Sequence, residues 1–139
     1  MITSLQQKNK ALEKLKRLQA QIDAPAKPGV PEHLLTLNAA QLDDTMSALQ
    51  ADIDAYDVAC EADLNTLEFA SYDDFCRLPI VVRLASNLTL PDFANAIGIS
   101  ESQLKRYEAN EYHNAPSQVF NAVLTAFNIT LNGRIQCSA

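Results

Sequence analysis

Two helix start signals stand eleven residues apart in the C-terminal half of this 139-residue chain, and a glycine lies between them. The first is Thr89 with Asp92 three positions later, and the second is Ser100 with Gln103 three positions later. A hydroxyl at the N-cap accepts a hydrogen bond from a first-turn amide, and a Gln at the third position can return one to the cap. Gly98 suits the left-handed conformation that often ends a helix. The spacing therefore predicts two short helices joined by a tight turn.

The apolar residues on either side of the glycine predict how these helices pack. Phe93, Ala94 and Ile97 share one face of the first helix, while Leu104 and Tyr107 point inward from the second. Two short helices at a steep angle, joined by a tight turn with glycine, form a helix-turn-helix. In that geometry the second helix stands clear of the body, and its N-terminal residues reach base edges in the DNA major groove.

The polar face of the second predicted helix suits contacts with DNA. Arginine can bond guanine through two hydrogen bonds, glutamate can accept one from cytosine, and lysine and arginine attract phosphates. Serine and glutamine can serve either bases or phosphates. The polar face consists of Glu101, Ser102, Gln103, Lys105 and Arg106.

The same segment resembles the Xre family of helix-turn-helix regulators, which has the lambda-repressor-like fold. The family pattern runs roughly Leu-Thr-Gln, Leu-Ala, Gly-Ile-Ser, an aliphatic residue and an aromatic-Glu pair. The matching residues are Leu88-Thr89, Phe93-Ala94, Gly98-Ile99-Ser100, Leu104 and Tyr107-Glu108, whereas Leu90 replaces the usual Gln. The resemblance covers about residues 72–131. The stretch 106–112 also resembles Xre proteins with a long N-terminal helical segment, several of which are antitoxins or their relatives.

The resemblance implies a sequence-specific DNA-binding transcriptional regulator, expected to be a homodimeric repressor on a palindromic operator. The candidate DNA-binding residues are Thr89, Glu101, Ser102, Gln103, Lys105, Arg106, Asn110 and Tyr112. The alternative is an antitoxin-type protein that neutralises a partner toxin through its N-terminal helices and represses its own operon. We expect no catalytic residue, cofactor or metal, because the sequence has no phosphate-binding loop, nucleophile elbow or metal-ligand cluster.

Further helices are predicted around this motif. Residues 72–86 favour a helix before it, although Pro79 leaves open a start near Leu78, and Arg77 and Arg83 are expected to flank the DNA. A last helix is predicted to start at residue 116 or 117. The tail, residues 129–139, either adds a short strand or is loose.

The N-terminal half predicts two helices separated by a break. Apolar residues recur at helical spacing over residues 4–23, and three prolines and a glycine then interrupt the pattern. A capping-box pattern at Asn38 predicts the second helix, to about residue 62. Each helix has a narrow apolar stripe, which favours either a hairpin within one chain or pairing between two chains. We therefore predict an all-α protein: an N-terminal helical segment, 1–70, for oligomerisation or partner binding, and a helix-turn-helix DNA-binding domain, 71–139.

Charge and composition narrow the function further. The net charge of −6 disfavours a general nucleic-acid coat, so any DNA contact must come from a local basic patch. The chain has no apolar run long enough to cross a membrane and no secretory signal pattern, so we expect a cytoplasmic protein. Its three cysteines, Cys60, Cys76 and Cys137, lack metal-site spacing, and we interpret them as buried or incidental thiols in a reducing compartment.

Overall fold

The structure of the protein is a computed structural model that describes residues 1–138. Over these residues the secondary structure consists of helices, with no strand, which confirms the all-α prediction. The chain divides into two compact units, one formed by residues 1–62 and the other starting at Asp63. The helices are α1 (Leu5–Asp23), α2 (Glu32–Cys60), α3 (Tyr72–Ala85), α4 (Leu90–Ile97), α5 (Glu101–Ala109) and α6 (Ser117–Ala126).

The first unit is an antiparallel hairpin of α1 and α2, which pack against each other within the same chain. Lys8 near the start of α1 meets the last turns of α2: its Nζ lies 2.5 Å from Asp57 Oδ1 and 5.9 Å from the ring centre of Tyr56. Further along α1, Leu15 lies beside Met46 of α2. The hairpin therefore closes within one chain and buries Leu18, while Leu5, Leu12 and Ile22 of the α1 stripe remain 38–62% exposed.

The second helix begins earlier than the sequence predicts. It starts at Glu32, with Pro31 at the N-cap, so the expected start at Asn38 was wrong. Pro31 has no capping side chain, but its carbonyl accepts hydrogen bonds from the amides of Leu34 and Leu35 at 3.0 and 3.2 Å. Proline in the residue before a helix and an acid in its first turn are compatible with a helix start there. The capping pattern at Asn38 lies inside the helix instead.

The second unit contains α3 to α6, and its core is strongly apolar. Helix α4 packs against both α5 and α6. The rings of Phe93 and Phe127 stack with their centres 5.3 Å apart, and those of Phe75 and Phe120 lie 5.5 Å apart. Side chains that are at most 1% exposed include Ile80, Val82, Phe93, Leu104 and Val123. Such burial is what stabilises short helices, because isolated helices of this length are marginal in water.

The structure decides between the two starts that the sequence allows for helix α3. It begins at Tyr72, not near Leu78, and continues through Pro79 to Ala85. Ser71 starts it by accepting a hydrogen bond from the amide of Asp74 at 3.1 Å. A proline lacks the amide that an interior helical position would donate, so the surrounding packing must compensate. Pro79 is indeed fully buried.

The boundary between the units falls before the predicted one. We expected it at residues 70 and 71, whereas the second unit starts at Asp63. Phe69 explains part of the difference, because its ring centre lies 5.3 Å from that of Phe75 in α3.

Every helix within residues 1–138 is too short or too polar to span a membrane.

Candidate nucleic-acid interface

The turn between α4 and α5 is set by two capped helix ends and one left-handed glycine. Thr89 accepts a hydrogen bond from the Asp92 amide at 3.3 Å and starts α4. Gly98 ends it with φ 77° and ψ 29°, a conformation that costs glycine little. Ser100 and Gln103 then form the predicted capping box of α5. The predicted helix starts and the predicted turn residue are therefore confirmed.

Helix α5 presents one polar arc to solvent. Its opposite side is anchored by Leu104, which is completely buried, and by Glu108, which is 6% exposed. At 3.6 residues per turn, the remaining positions fall on one continuous face. The exposed residues on that face are Glu101, Ser102, Gln103, Lys105, Arg106 and Asn110.

The charges on this face are not equivalent. Lys105 Nζ lies 2.7 Å from Glu101 Oε1, an ion pair between residues four positions apart. Such exposed pairs exchange easily with solvent and contribute little to stability. Arg106 is exposed, and its guanidinium makes no ion pair within the part of the chain that the structure describes. Arg106 is therefore the cation on this face that is most available to an anionic ligand.

A buried ion pair holds α5 against α3. Arg83 Nε donates to Glu108 Oε1 at 2.6 Å, and Arg83 Nη2 donates to Glu108 Oε2 at 2.9 Å. Arg83 Nη1 also donates to the Leu88 carbonyl at 3.2 Å. Burial raises the pKa of Glu108, and the two hydrogen bonds from Arg83 act against that rise. Because arginine has only donors, both oxygens must accept, and the pair is held as carboxylate and guanidinium.

Sequence reasoning missed this pair and misplaced Arg83. We expected Arg83 to flank the DNA, but it is 5% exposed and is committed to the interior of the second unit. The sequence did indicate that Arg83 is buried, because the helical spacing places it on the same face as Cys76 and Ile80. An arginine on such a face needs an acidic partner. Glu108, the acid of the aromatic-Glu pair in the sequence motif, is that partner.

The other residues predicted to contact DNA are Tyr112, Thr89 and Asn110, and each is either buried or holds a helix end. The prediction for Tyr112 was wrong: its side chain is 1% exposed, and its ring lies among those of Tyr107 and Phe120. Burial raises the pKa of its phenol. Thr89 is exposed at the start of α4, and its hydroxyl caps that helix. Asn110 is exposed and donates to the Arg106 carbonyl at 2.9 Å, which closes the end of α5.

Two polar contacts fix the loop after α5 to α3. Arg77 pairs with Glu111 at 3.1 Å, so this arginine is also partly engaged within the unit. His113 Nε2 lies 2.8 Å from Asp73 Oδ1. Hydrogen bonding to Asp73 raises the pKa of His113 above 6.5, and hydrogen bonding to His113 lowers the pKa of Asp73 below 3.8.

The opposite directions of these two pKa shifts define a pH window for the His113–Asp73 contact. The raised pKa of His113 gives stability that is complete below pH 6.5 and is lost as the pH rises through the folded value. The lowered pKa of Asp73 gives stability that is present above pH 3.8 and is lost as the pH falls through the folded value. The contact therefore stabilises the loop most between these limits.

Comparison with protein-family models, with curated proteins and with solved structures finds no match for this chain. Within the described residues, no group of three or more histidine, cysteine, aspartate or glutamate side chains is placed to hold a metal ion.

Proposed function

We propose that this protein is a sequence-specific, dimeric DNA-binding repressor whose α4 and α5 form the helix-turn-helix of a lambda-repressor-like domain. The observation that carries the proposal is the geometry of α5. It is a separate helix after the left-handed Gly98, and its polar face is exposed along its whole length. A face of this kind can enter a major groove, with Arg106 and Ser102 next to the bases.

The charge of the second unit restricts how it can bind. From Asp63 onward the chain carries five cations and eight acids, and Arg77 and Arg83 are paired with acids. Lys105 and Arg106 are the cations on the α5 face. Each phosphate that is neutralised adds roughly −0.9 to the slope of log affinity against log salt. Two cations therefore predict a slope of roughly −2 for each protomer, so a dimer is needed for useful affinity.

The test is binding to DNA fragments selected from a random pool with the full-length protein. Losing a two-hydrogen-bond contact to guanine costs about 1–3 kcal/mol, so Arg106→Ala should weaken binding to the selected sequence about fivefold to 150-fold. It should also relax the preference for the contacted base, whereas Lys105→Ala, which removes the phosphate-attracting cation, should make the salt slope shallower by about one unit per protomer. Arg17→Ala is the matched control, because Arg17 is a similarly exposed arginine in α1. The proposal fails if no sequence is enriched, or if Arg106→Ala and Arg17→Ala bind equally well.

A second candidate function is partner capture by the hairpin, as in an antitoxin. The end of the hairpin has an open groove of about 710 Å³ between α1, the proline-containing loop and the first turns of α2. Apolar side chains on its walls remain 38–46% exposed, among them Ile22, Val30 and Leu34. Apolar surface of this kind is typical of protein-binding grooves.

The discriminating experiment uses co-expression with the product of a neighbouring gene. If that product is the partner, a stable complex should form, and Leu34→Asp should disrupt it because a charge would be buried in the groove. Val58→Asp is the control, since Val58 lies on the same helix, is 70% exposed and does not line the groove. If both variants lose the complex equally, or if the complex withstands Leu34→Asp, the groove is not the binding site and this candidate function is contradicted.

A further inference from the structure

The C-terminal tail carries the alternation of an amphipathic β-strand in a chain whose described elements are helical. Its apolar residues are Ile129, Leu131, Ile135 and Cys137, its polar residues are Thr130, Asn132, Arg134 and Gln136, and Gly133 is central. A period of two places the apolar set on one face of a strand and the polar set on the other. A helix would mix the two sets. The sequence of the tail therefore favours a strand that has one apolar face.

Within residues 1–138, no other segment pairs with this strand pattern. Asn128 has φ 53° and ends α6, and the amide of Ile129 donates to the Leu124 carbonyl at 2.8 Å. After that point, residues 130–138 are exposed and form no helix, strand or turn. Leu131 is 43% exposed and Ile135 is 99% exposed. Backbone amides and apolar side chains of the tail are thus both available for pairing.

Folding the tail back on itself as a hairpin does not satisfy the pattern. Asn-Gly is the preferred two-residue turn, but it needs a positive φ at both residues. Neither Asn132 nor Gly133 has a positive φ. That turn would also place Leu131 opposite Arg134 and Ile135 opposite Thr130, so apolar and polar side chains would face each other across the strands.

Pairing with the tail of a second copy satisfies the pattern at every position. If two tails run antiparallel about a two-fold axis at Gly133, Leu131 lies opposite Ile135 and Ile129 lies opposite Cys137. Arg134, the only charged residue of the tail, lies opposite Asn132 and not opposite itself. Like charges directly opposite would be destabilising, and this register avoids them. The tail is therefore self-complementary, as a two-fold interface requires.

We propose that residues 129–137 pair with the same residues of a second copy as a two-stranded antiparallel β-ribbon, and that this ribbon joins the protomers. Apolar residues of the hairpin, such as Leu5 and Ile22, are exposed as well, but the tail is favoured because its residue pattern pairs with a copy of itself in one register. A two-stranded ribbon is marginal alone, so its apolar face must lie against helical surface of the dimer. The inference does not depend on DNA binding, because the ribbon forms between free protein chains.

Sedimentation of the full chain without DNA tests the interface. The wild type should sediment at about twice its monomer mass of 15.3 kDa. Ile135→Asp places a charge on the apolar face and should raise the dimer dissociation constant by at least about tenfold. Gln136→Asp is the matched control: it introduces the same charge on the polar face and should leave the dimer intact. A monomeric wild type, or a dimer that tolerates Ile135→Asp, overturns the proposal.

Disulfide trapping tests the register. In a Cys60→Ser, Cys137→Ser background, Gly133→Cys places two thiols on the two-fold axis, with Cα atoms about 4.5–5.5 Å apart, within disulfide range. This variant should cross-link under mild oxidation. Ile135→Cys in the same background should not, because the two residues 135 would lie about 14 Å apart along and across the strands. Cross-linking of both, or of Ile135→Cys alone, contradicts the register. Circular dichroism of each variant confirms that the helices remain folded.

Discussion

Removing Arg83 from its buried pair should be one of the most destabilising single changes in the second unit. Arg83→Met keeps a long apolar stem of similar volume but leaves the carboxylate of Glu108 without its cation. That carboxylate is 5% exposed, so water cannot replace the two lost hydrogen bonds. Breaking a buried pair by removing one partner costs about 3–5 kcal/mol of unfolding free energy, mainly because an uncompensated charge stays buried.

The double variant Arg83→Met, Glu108→Leu separates the cost of the lone charge from the value of the pair. Replacing both partners by apolar residues of similar size is often neutral or stabilising, so this variant should recover to within about 1–2 kcal/mol of the wild type. The stability lost in the single variant Arg83→Met should also depend on pH. Without Arg83, burial alone acts on Glu108 and raises its pKa further above 4.5. The loss should therefore be smallest below pH 4.5, should grow as the pH rises from there to the folded pKa, and should stay constant above it.

Urea unfolding followed by the methyl NMR signals of Val82 and Leu104 measures the effect. Both side chains are fully buried in the second unit, so their signals report on that unit and not on the hairpin. The reasoning is refuted if Arg83→Met loses less than about 1 kcal/mol at neutral pH. It is equally refuted if the double variant is as unstable as the single one, because the loss would then not come from the lone carboxylate.

Four further substitutions test the turn, the two helix caps and the loop. Gly98→Ala should lower the free energy of unfolding by about 1–2 kcal/mol, measured by thermal unfolding, because alanine disfavours a positive φ. A steric clash adds nothing, since an added Cβ meets no atom within 4 Å. An unchanged unfolding midpoint would contradict the left-handed turn. Ser100→Ala should cost about 1 kcal/mol by removing the cap of α5, and Thr89→Ala should cost a similar amount at α4. Asp73→Asn should lower the pKa of His113 in an NMR titration, and an unchanged titration midpoint would show that the contact does not exist in solution.

The sequence predicts best where local chemistry decides the structure. The caps at Thr89 and Ser100 and the glycine at residue 98 act over three or four positions, so their residue types suffice to locate two helices and a turn. The start of α2 shows the limit of this approach. Asn38 matches a capping pattern as well as Ser100 does, but the helical stripe already continues upstream through Leu35, and packing along the hairpin extends the helix to Glu32. Tertiary packing therefore overrides a local capping preference such as that of Asn38.

The candidate site was less predictable because exposure depends on distant partners. Tyr112 lies three residues after α5 and was expected on the surface, but its ring packs edge-on against Phe120 of α6 and is buried. Arg83 looked like a free cation until Glu108, twenty-five positions later, was placed beside it. Both errors concern contacts between different elements of the fold, which a single sequence does not report. The face of α5 was predictable because its residues are close together in the sequence and share one helix.

The charges of the second unit also bear on what kind of DNA binding the proposed function allows. Non-specific binding to DNA is almost entirely electrostatic, and it requires many unpaired cations. Here Arg77 and Arg83 are used to hold the unit together, and the unit has more acids than cations. Attraction to random DNA should therefore be weak at physiological salt, while the contacts of Arg106 and Ser102 with bases would keep their value. A regulator built in this way would gain its specificity by lowering non-specific affinity, and joining two such units would restore affinity only where both half-sites are present.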